Sequence, residues 1–425
     1  MIDHEERLQT LARYVSPTNP IRTTEFLRGR DEELTNLEQE LRYFQGIPFI
    51  FGNRGVGKTS LARTVAQQIT SSEYEHVYAV CGPGVGMLSV LQGIGQDLLR
   101  IALRYGNVQE LTKKVEVNIS INPSVKISIE KKLPQLPELP NANAAVRILK
   151  EIDDLLPANK KTVVIIDELE ELKDDADRKT LAFLVKQAGD QEFGVRFLLV
   201  GIAENVQQLI GAHQSVPRYI KEMSLSPLTP QVLMDIVADA ATHVGIRMDQ
   251  ELLYRIAIIG NGYPHFAHLM GKTILTEAIV AGVDHVTLDT EIYEKGVARA
   301  VKESHEELRM SYEAATQRGD SVYKHVLWAL ANKDVVDLLI DDWIRAYEEL
   351  ARHHPWPEVE ERRVRNVISR LNQSRYGAIV TNTPLKYGSH ERRNRYKRFS
   401  HNLMRGHVRL QAEKERVHLG HLRAG

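Results

Sequence analysis

The sequence predicts an α/β fold built on a parallel sheet, because two apolar runs and one helical pattern stand in the order that such a sheet requires. Residues 47–51 are almost wholly apolar and end at Gly52, which is typical of a strand buried on both faces of a parallel sheet. Apolar residues then recur every four positions over residues 61–69, which predicts an amphipathic helix. A second apolar run, residues 163–166, ends at Asp167 and predicts another buried strand.

Length and composition restrict the class of protein. The 425 residues are enough for two or three domains. The 55 Lys and Arg residues nearly balance the 56 Asp and Glu residues, so any contact with nucleic acid must come from local clustering of charge. The single cysteine, Cys81, allows neither an intramolecular disulfide nor a zinc site and argues for a reducing compartment. The N-terminus is charged and no apolar run could span a bilayer, so we expect a cytoplasmic protein without membrane contact.

A phosphate-binding loop follows the first predicted strand. Residues 52–59 fit the pattern G-x-x-x-x-G-K-[ST] at every fixed position. Glycines let backbone N–H groups approach phosphate oxygens, and the N-terminus of the next helix adds positive potential. We expect Lys58 to contact the β- and γ-phosphates of ATP or ADP and Thr59 to hold Mg²⁺. The predicted nucleotide-binding residues of this loop are Gly52, Asn53, Arg54, Gly55, Val56, Gly57, Lys58, Thr59 and Ser60.

Two acidic residues end the second predicted strand. Asp167 and Glu168 stand at its carboxyl end, the edge at which open α/β sheets bind ligands. Two acids at a strand end are by themselves usually solvated, but after a complete phosphate loop they predict a metal site. We expect Asp167 to hold Mg²⁺ and Glu168 to orient or deprotonate the attacking water.

An insertion separates the two motifs, between about residues 107 and 141. Apolar residues alternate on either side of Asn122-Pro123-Ser124, which predicts a β-hairpin. Proline at every third position then predicts a stiff, extended connector. The lysines around the hairpin would suit contact with DNA or a neighbouring subunit, but the pattern slightly favours a hairpin packed on its own subunit with solvated lysines, so no role is assigned to it.

The two motifs together resemble those of AAA+ and STAND-type ATPases, over roughly residues 15 to 300. Residues 26–41 resemble the segment before the phosphate loop in origin-recognition initiators and STAND ATPases, where the residues matching Leu27 to Arg30 border the adenine. Arg30 is therefore expected near the nucleotide. The resemblance implies a P-loop NTPase core with an α-helical lid.

Two further segments follow in the order of these families. Residues 195–206 resemble the sensor-1 strand, whose terminal polar residue contacts the γ-phosphate region; Asn205 is the candidate here, and Glu204 competes for the position. Arg218 stands where these families place the arginine that reaches the γ-phosphate bound by a neighbouring subunit. It implies an ATP-dependent oligomer, although a surface arginine without this role fits the sequence equally well.

The predicted lid carries a departure from the initiator pattern. Residues 260–275 resemble the lid helix that carries sensor 2, where initiators usually have an arginine and this chain has His265. Gly262-Tyr263-Pro264 resembles the G-x-P element of STAND proteins, in which the proline lies near the adenine. Pro264 and His265 therefore join the expected nucleotide-binding residues, and the missing arginine implies a slow, nucleotide-gated switch.

The C-terminal third predicts a winged helix. Helical patterns occupy residues 321–332, 339–352 and 360–374, and residues 377–382, 395–399 and 408–411 suggest short strands. The third helix is the expected recognition helix, and basic residues cluster on it and near the wing. These residues are Arg362, Arg363, Arg365, Arg370, Arg392, Arg393, Arg395, Lys397 and Arg398.

Two functions share the predicted chemistry, in which Lys58, Glu168, Arg218 and Asn205 are the catalytic candidates. The first is an AAA+-like ATPase switch that binds double-stranded DNA through residues 350–410. The second is a STAND-like signalling or defence ATPase whose winged helix binds a protein. The predicted divisions are an entry segment (1–25), a P-loop core (26–225), a helical lid (226–305) and a winged-helix domain (306–425).

Overall fold

The computed structural model describes residues 4–17, 20–21, 23–70, 74–105, 136, 138–156, 161–202, 216–317, 319–383 and 395–420. Contacts between Cα atoms divide the chain into two compact units. We call residues 20–53 and 57–226 the sheet unit, and residues 1–19, 54–56 and 227–425 the helical unit. The predicted β-hairpin around Asn122 lies outside the described residues.

The sheet unit alternates strands and helices. Helix α1, His4–Tyr14, precedes it and belongs to the helical unit. The elements of the sheet unit are α2 (Asp31–Tyr43), β1 (Ile47–Gly52), α3 (Lys58–Thr70), β2 (Tyr74–Val80), α4 (Met87–Tyr105), α5 (Ala142–Asp153), β3 (Lys161–Asp167), α6 (Asp175–Asp190), β4 (Arg196–Gly201) and β5 (Ile220–Leu225).

The five strands form one parallel sheet in the order β2-β3-β4-β1-β5, which confirms the predicted fold class. Phe49, Val164 and Leu199 lie on one face, in a core shared with α4, α5 and α6. Ile50, Val163 and their alternating neighbours are buried on the other face, since successive side chains of a strand point in opposite directions. Burial on both faces explains why the strands read as continuous apolar runs.

The helical unit begins with a helical bundle. Its elements are α7 (Pro230–His243), β6 (Arg247–Met248), α8 (Gln250–Gly260), α9 (Pro264–Ala281), β7 (His285–Val286) and α10 (Glu291–Glu303). The Thr229 hydroxyl caps α7 by accepting a hydrogen bond from the Val232 amide, and proline at the start of α7 fits a position without a helical partner for its nitrogen. Helix α1 joins this bundle, because the Arg7 side chain donates to the Val244 carbonyl at 2.8 Å.

The rest of the helical unit consists of helices and short strands. Its elements are α11 (Glu306–Thr316), α12 (Ser321–Asn332), β8 (Leu338–Leu339), α13 (Ile340–His353), α14 (Glu361–Leu371), β9 (Val380–Asn382), β10 (Tyr396–Phe399) and α15 (Met404–Lys414). Strands β8, β10 and β9 form an antiparallel sheet. Three helices with this small sheet have the element order of a winged helix, as predicted.

Residues 408–411 are part of α15, so the strand predicted for them is wrong. Val408 and Leu410 alternate as in a strand, but both are fully buried together with the charged Arg409. Helix α15 packs on α8, α10, α11 and α12, and a helix enclosed on several sides buries residues all around its circumference. The apolar periodicity of this segment is therefore uninformative.

In the part of the chain that the structure describes, no helix combines the length and the apolar character needed to cross a membrane.

Candidate functional site

The loop between β1 and α3 has the backbone conformation of a phosphate-binding loop. Gly55 and Gly57 have φ angles of 87° and 98°, values that side-chain-bearing residues rarely adopt. A Cβ atom on Gly57 would meet nothing within 4 Å, so backbone conformation and not crowding requires glycine there. Asn53 and Arg54 are exposed, whereas Val56 is buried.

Lys58 is held inside this loop. It begins α3, is only 8% exposed, and its ammonium group donates to the carbonyl oxygens of Gly52 and Asn53 at 3.1 Å each. The side chain of the first residue of α3 is therefore hydrogen-bonded to the first two residues of the loop. A buried ammonium group needs such partners, and a phosphate oxygen would supply a stronger, charged one.

The two predicted metal ligands are in direct contact. The Thr59 hydroxyl donates to Oδ2 of Asp167 at 2.8 Å, although the two residues are 108 positions apart. Asp167 ends β3 and is 2% exposed. Because β1 and β3 are parallel members of one sheet, their carboxyl ends lie at the same edge, and α3 brings Thr59 to that edge.

Asp167 has two further donors that the sequence did not reveal. The Tyr78 hydroxyl donates to Oδ2 at 2.7 Å, and the Glu168 amide donates to Oδ1 at 2.7 Å. Burial, and then the charge of Asp167, raise the pKa of Tyr78 well above its usual range, so its hydroxyl stays a donor. Tyr78 lies on β2, 89 residues before Asp167, and no motif marks it; only the paired register of β2 and β3 could have found it.

Glu168 differs from Asp167 in exposure and backbone. It is exposed and has the left-handed conformation, with φ 58° and ψ 42°, at the start of a short 3-10 helix, Leu169–Glu171. A non-glycine residue in the left-handed conformation is strained by about 1 kcal/mol or more, and such strained residues tend to occur at functional sites.

Ser60 and Arg30 make structural contacts within the sheet unit. The Ser60 hydroxyl accepts a hydrogen bond from the Ile21 amide at 3.2 Å. Arg30 is 6% exposed and donates to the Ser226 carbonyl at 2.5 Å and to Glu33 at 2.9 Å. Arg30 therefore fastens the start of α2 to the end of β5, and its predicted place beside the adenine stays a prediction.

Arg218 lies on the surface of the sheet unit. It ends a 3-10 turn, Val216–Arg218, just before β5. Its side chain is 64% exposed, lies over the ring of Tyr219 and approaches Asp190 at 3.4 Å. Its exposure would allow contact with a second subunit, while its role stays a prediction. Asn205 and Glu204 lie outside the described residues.

Pro264 and His265 begin α9 in the helical unit. The turn before α9 requires glycine at position 262. Gly262 has a φ of 83°, and a Cβ there would lie 2.5 Å from Cβ of Pro227. The Nδ1 atom of His265 donates to the Pro17 carbonyl at 3.1 Å, and its ring stacks on that of His305. Burial and the neighbouring His305 lower the pKa of His265 to about 4. At neutral pH this histidine is uncharged and does not replace the positive charge of an arginine.

The basic residues of the winged helix are partly neutralised by acidic neighbours. Arg363 donates to Asp320 at 3.1 Å, and Arg365 donates to Asp341 at 2.5 Å. Arg370 donates to the Tyr323 hydroxyl at 2.9 Å. Lys397 is buried against the side chain of Asn382 rather than turned to the surface, whereas Arg362 and Arg395 are exposed. Arg392 and Arg393 lie outside the described residues.

The residues of the loop fit ATP and Mg²⁺ in their chemistry. Positive-φ glycines and the start of α3 offer backbone N–H groups to phosphate, and Lys58 adds a buried positive charge. Among the described residues, no group of three or more His, Cys, Asp or Glu side chains could hold a metal ion. Mg²⁺ is typically held by one or two protein oxygens together with phosphate oxygens, and Thr59 with Asp167 is such a pair.

The parallel sheet with this loop defines the P-loop class of α/β domains. Residues 27–200 match the family model of the AAA ATPase domain, which confirms the predicted resemblance to AAA ATPases. No curated protein matches the sequence.

The solved structures that are similar to the chain include the following three. The Walker-type ATPase PABY2304 of Pyrococcus abyssi is 14% identical with a TM-score of 0.52, over 92% of this chain and 99% of that chain. Aeropyrum pernix ORC1 in complex with DNA is 17% identical with a TM-score of 0.45, over 92% and 93% of the chains. Cdc6p of Pyrobaculum aerophilum is 16% identical with a TM-score of 0.44, over 95% and 98%. The likeness to the Pyrococcus abyssi protein is one of fold.

Proposed function

We propose that this protein is a nucleotide-dependent ATPase switch. The observation that carries the proposal is the contact of Thr59 with Asp167, beside a buried Lys58 in a glycine-rich loop. The match of residues 27–200 to the AAA ATPase domain supports the same activity.

Each residue of the site has a distinct task in this proposal. The loop amides and Lys58 hold the β- and γ-phosphates, while Thr59 and Asp167 hold Mg²⁺. When bound, Mg²⁺ neutralises negative charge on the phosphate oxygens during transfer to water. Glu168 accepts a hydrogen bond or a proton from that water. The products are ADP and inorganic phosphate.

Slow turnover is part of the proposal. Initiator-type ATPases use a permanently charged arginine where this chain has His265, whose pKa of about 4 leaves it neutral at pH 7. A neutral ring contributes little to the stabilisation of charge that develops on a phosphoryl group. A slow reaction suits a switch, in which the bound state persists long enough to be recognised.

Substitution of Lys58 tests the nucleotide site. Lys58→Ala removes the charge that we assign to the phosphates, so ATP affinity is expected to fall at least tenfold while the unfolding transition is retained. Titration of a fluorescent ATP analogue measures the affinity. Lys179→Ala, on the exposed surface of α6, is the control. Unchanged affinity in a folded Lys58→Ala protein would contradict the site.

We further propose that the winged helix binds double-stranded DNA. The element order of α12, α13 and α14 supports this, since such modules place a helix in the major groove. The exposed Arg362 on α14 is the best-placed described residue for a phosphate contact. The pairing of Arg363 and Arg365 with acidic side chains favours the second candidate, a switch whose winged helix docks on a protein.

Duplex binding across a salt titration separates these candidates. Arg362→Ala is expected to weaken binding and to reduce the slope of log K against log salt by about one, because one phosphate contact is lost. The whole 425-residue chain is the protein to use, because α15 is part of the same unit as α7 to α10. Arg100→Ala in α4 is the control. Absence of duplex binding at low salt, with and without ATP, would leave the protein-docking function.

A further inference from the structure

The carboxylate of Asp167 is held by donors from three elements of the sheet unit. Its Oδ2 atom accepts hydrogen bonds from Thr59 on α3 at 2.8 Å and from Tyr78 on β2 at 2.7 Å. Its Oδ1 atom accepts the amide of Glu168 at 2.7 Å. A carboxylate with donors on both oxygens cannot rotate about its last bond without breaking at least one of them.

Tyr78 is itself fixed in place. Strand β2 pairs with β3 so that Tyr78 lies opposite Ile165 and Val80 lies opposite Asp167. The guanidinium of Arg63 lies 3.8 Å from the centre of the Tyr78 ring, within the range of an attractive cation–π contact. Arg63 follows Thr59 by four residues on α3, which is about one helical turn. One helix therefore supplies both the Thr59 hydroxyl and the Arg63 guanidinium that lies over the Tyr78 ring.

The arrangement has a consequence for metal binding. If Thr59 coordinated a metal ion through its oxygen, its proton would still point to Asp167, because an O–H group donates and accepts at once. Asp167 would then have to keep one orientation while the charge beside it changes. Partners that hold a metal ligand in orientation typically account for 10- to 100-fold in metal affinity.

We propose that Tyr78 is a positioning residue of the metal site, which holds the Asp167 carboxylate in the orientation that Thr59 and Asp167 need to bind Mg²⁺ together. The inference rests on the proposed nucleotide site and adds a residue to it. A phenylalanine would fill nearly the same volume and keep the ring under Arg63, but it would donate nothing to Asp167. The hydroxyl is therefore the group to test.

The experiment compares the wild type with Tyr78→Phe and Tyr105→Phe. Tyr105 is the matched control, because its hydroxyl also donates to a carboxylate, that of Glu75. Glu75 lies on β2, as Tyr78 does, but away from the metal site. Binding of a fluorescent ATP analogue is measured in EDTA and then across a titration of Mg²⁺. The two readouts are nucleotide affinity without metal and the Mg²⁺ concentration that gives half of the metal-dependent change.

The expected result is specific to the metal. Tyr78→Phe should raise the half-effective Mg²⁺ concentration about tenfold and leave affinity in EDTA unchanged, while Tyr105→Phe should match the wild type in both. An unchanged Mg²⁺ requirement in Tyr78→Phe would overturn the inference. So would an equal loss of affinity with and without metal, which would show that the hydroxyl supports the loop in general.

Failure of the proposed function would look different. In that case the wild type itself would show no Mg²⁺-dependent nucleotide binding, and the comparison between the variants would have no signal. Thermal unfolding of the three proteins without nucleotide separates a loss of fold from both outcomes, because a destabilised Tyr78→Phe protein would also lose affinity in EDTA.

Discussion

At the scale of single residues, Asp167 and Glu168 are neighbours with opposite surroundings. Asp167 is buried and accepts three hydrogen bonds, whereas Glu168 is exposed on a left-handed backbone. Two carboxylates in such different environments suit two different tasks. In the proposed site, Asp167 is the fixed metal ligand, and the exposed Glu168 is the residue that acts on a water molecule.

This division predicts the effect of Glu168→Gln. The variant keeps the size of the side chain but cannot accept a proton, so ATP affinity should equal that of the wild type while turnover falls roughly 10²- to 10⁴-fold. Phosphate release under single-turnover conditions measures the change. Glu171→Gln, three residues further along the chain, is the control, and normal turnover in Glu168→Gln would remove Glu168 from its proposed task.

Sequence reasoning found the residues that lie in contiguous motifs. Lys58, Thr59 and Asp167 follow short patterns whose spacing along the chain is set by one loop or one strand. Tyr78 was missed because its relation to Asp167 depends on which strands are neighbours, and strand order is a property of the whole sheet. The place of Arg30 beside the adenine stays a prediction, and its buried contact with the Ser226 carbonyl could not be inferred from its motif.

At the scale of elements, α9 shows how burial controls charge. This helix carries His265 and His268, and burial lowers the pKa of each to about 4. His268 accepts a hydrogen bond from the Ser16 amide at 3.4 Å, so it is built into the fold as a neutral ring. The unfolded chain would protonate both rings near pH 6.5.

Stability of the helical unit should therefore fall as the medium becomes acidic. Between pH 6.5 and about 4 the unfolded state binds protons that the folded state rejects, so stability present at pH 7 is lost as pH falls, by about 1.4 kcal/mol per pH unit for each such histidine. His268→Gln does not titrate and should reduce the loss between pH 7 and pH 5 by about 2 kcal/mol.

Urea unfolding followed by tryptophan fluorescence is a suitable measurement. The three tryptophans, Trp328, Trp343 and Trp356, all lie in the helical unit. His353→Gln, at an exposed position on α13, is the control. The same pH dependence in the wild type and His268→Gln would contradict the assignment of a neutral, buried His268.

Elements were predicted well where the apolar pattern extends over many residues. The helices α12, α13 and α14 follow the predicted segments closely. Helices α13 and α14 each have one buried apolar face, whereas α12 is buried around most of its circumference and was predicted from its many apolar residues. Strand β8 was missed because two residues carry no periodicity. Helix α15 was misread because it is enclosed, so that its apolar and charged residues are buried alike.

At the scale of the molecule, a buried ionic cluster joins α15 to α8 and α10 within the helical unit. Glu413 on α15 accepts hydrogen bonds from Arg255 on α8 at 2.8 Å and from Tyr293 on α10 at 2.5 Å. Burial alone would raise the pKa of Glu413, but bonds from His418, Arg255 and Tyr293 together with the charge of Arg255 lower it to about 2. Arg405, Arg409 and Glu413 recur every four residues along α15, and all three are buried.

This cluster predicts that α8 and α10 unfold together with the helices that follow them, α11 to α15. Arg255→Met leaves the Glu413 charge buried without its cation and should lower the free energy of unfolding by about 3–5 kcal/mol. The double variant Arg255→Met, Glu413→Leu removes both charges and should regain most of that loss, because an apolar pair of similar volume can replace a buried ion pair. Tryptophan fluorescence in urea again reports this unit alone.

The measurement also tests cooperativity. If α8 and α10 unfolded independently of α12 to α14, Arg255→Met would split the fluorescence transition or leave it unmoved, because the tryptophans lie on α12, α13 and the segment after α13, and not on α8. A single transition shifted to lower urea would show that a change on α8 reaches the helices that carry the tryptophans. The proposed switch requires such coupling, since a predicted lid that responds to the nucleotide would have to pass its state to the module proposed to bind the partner.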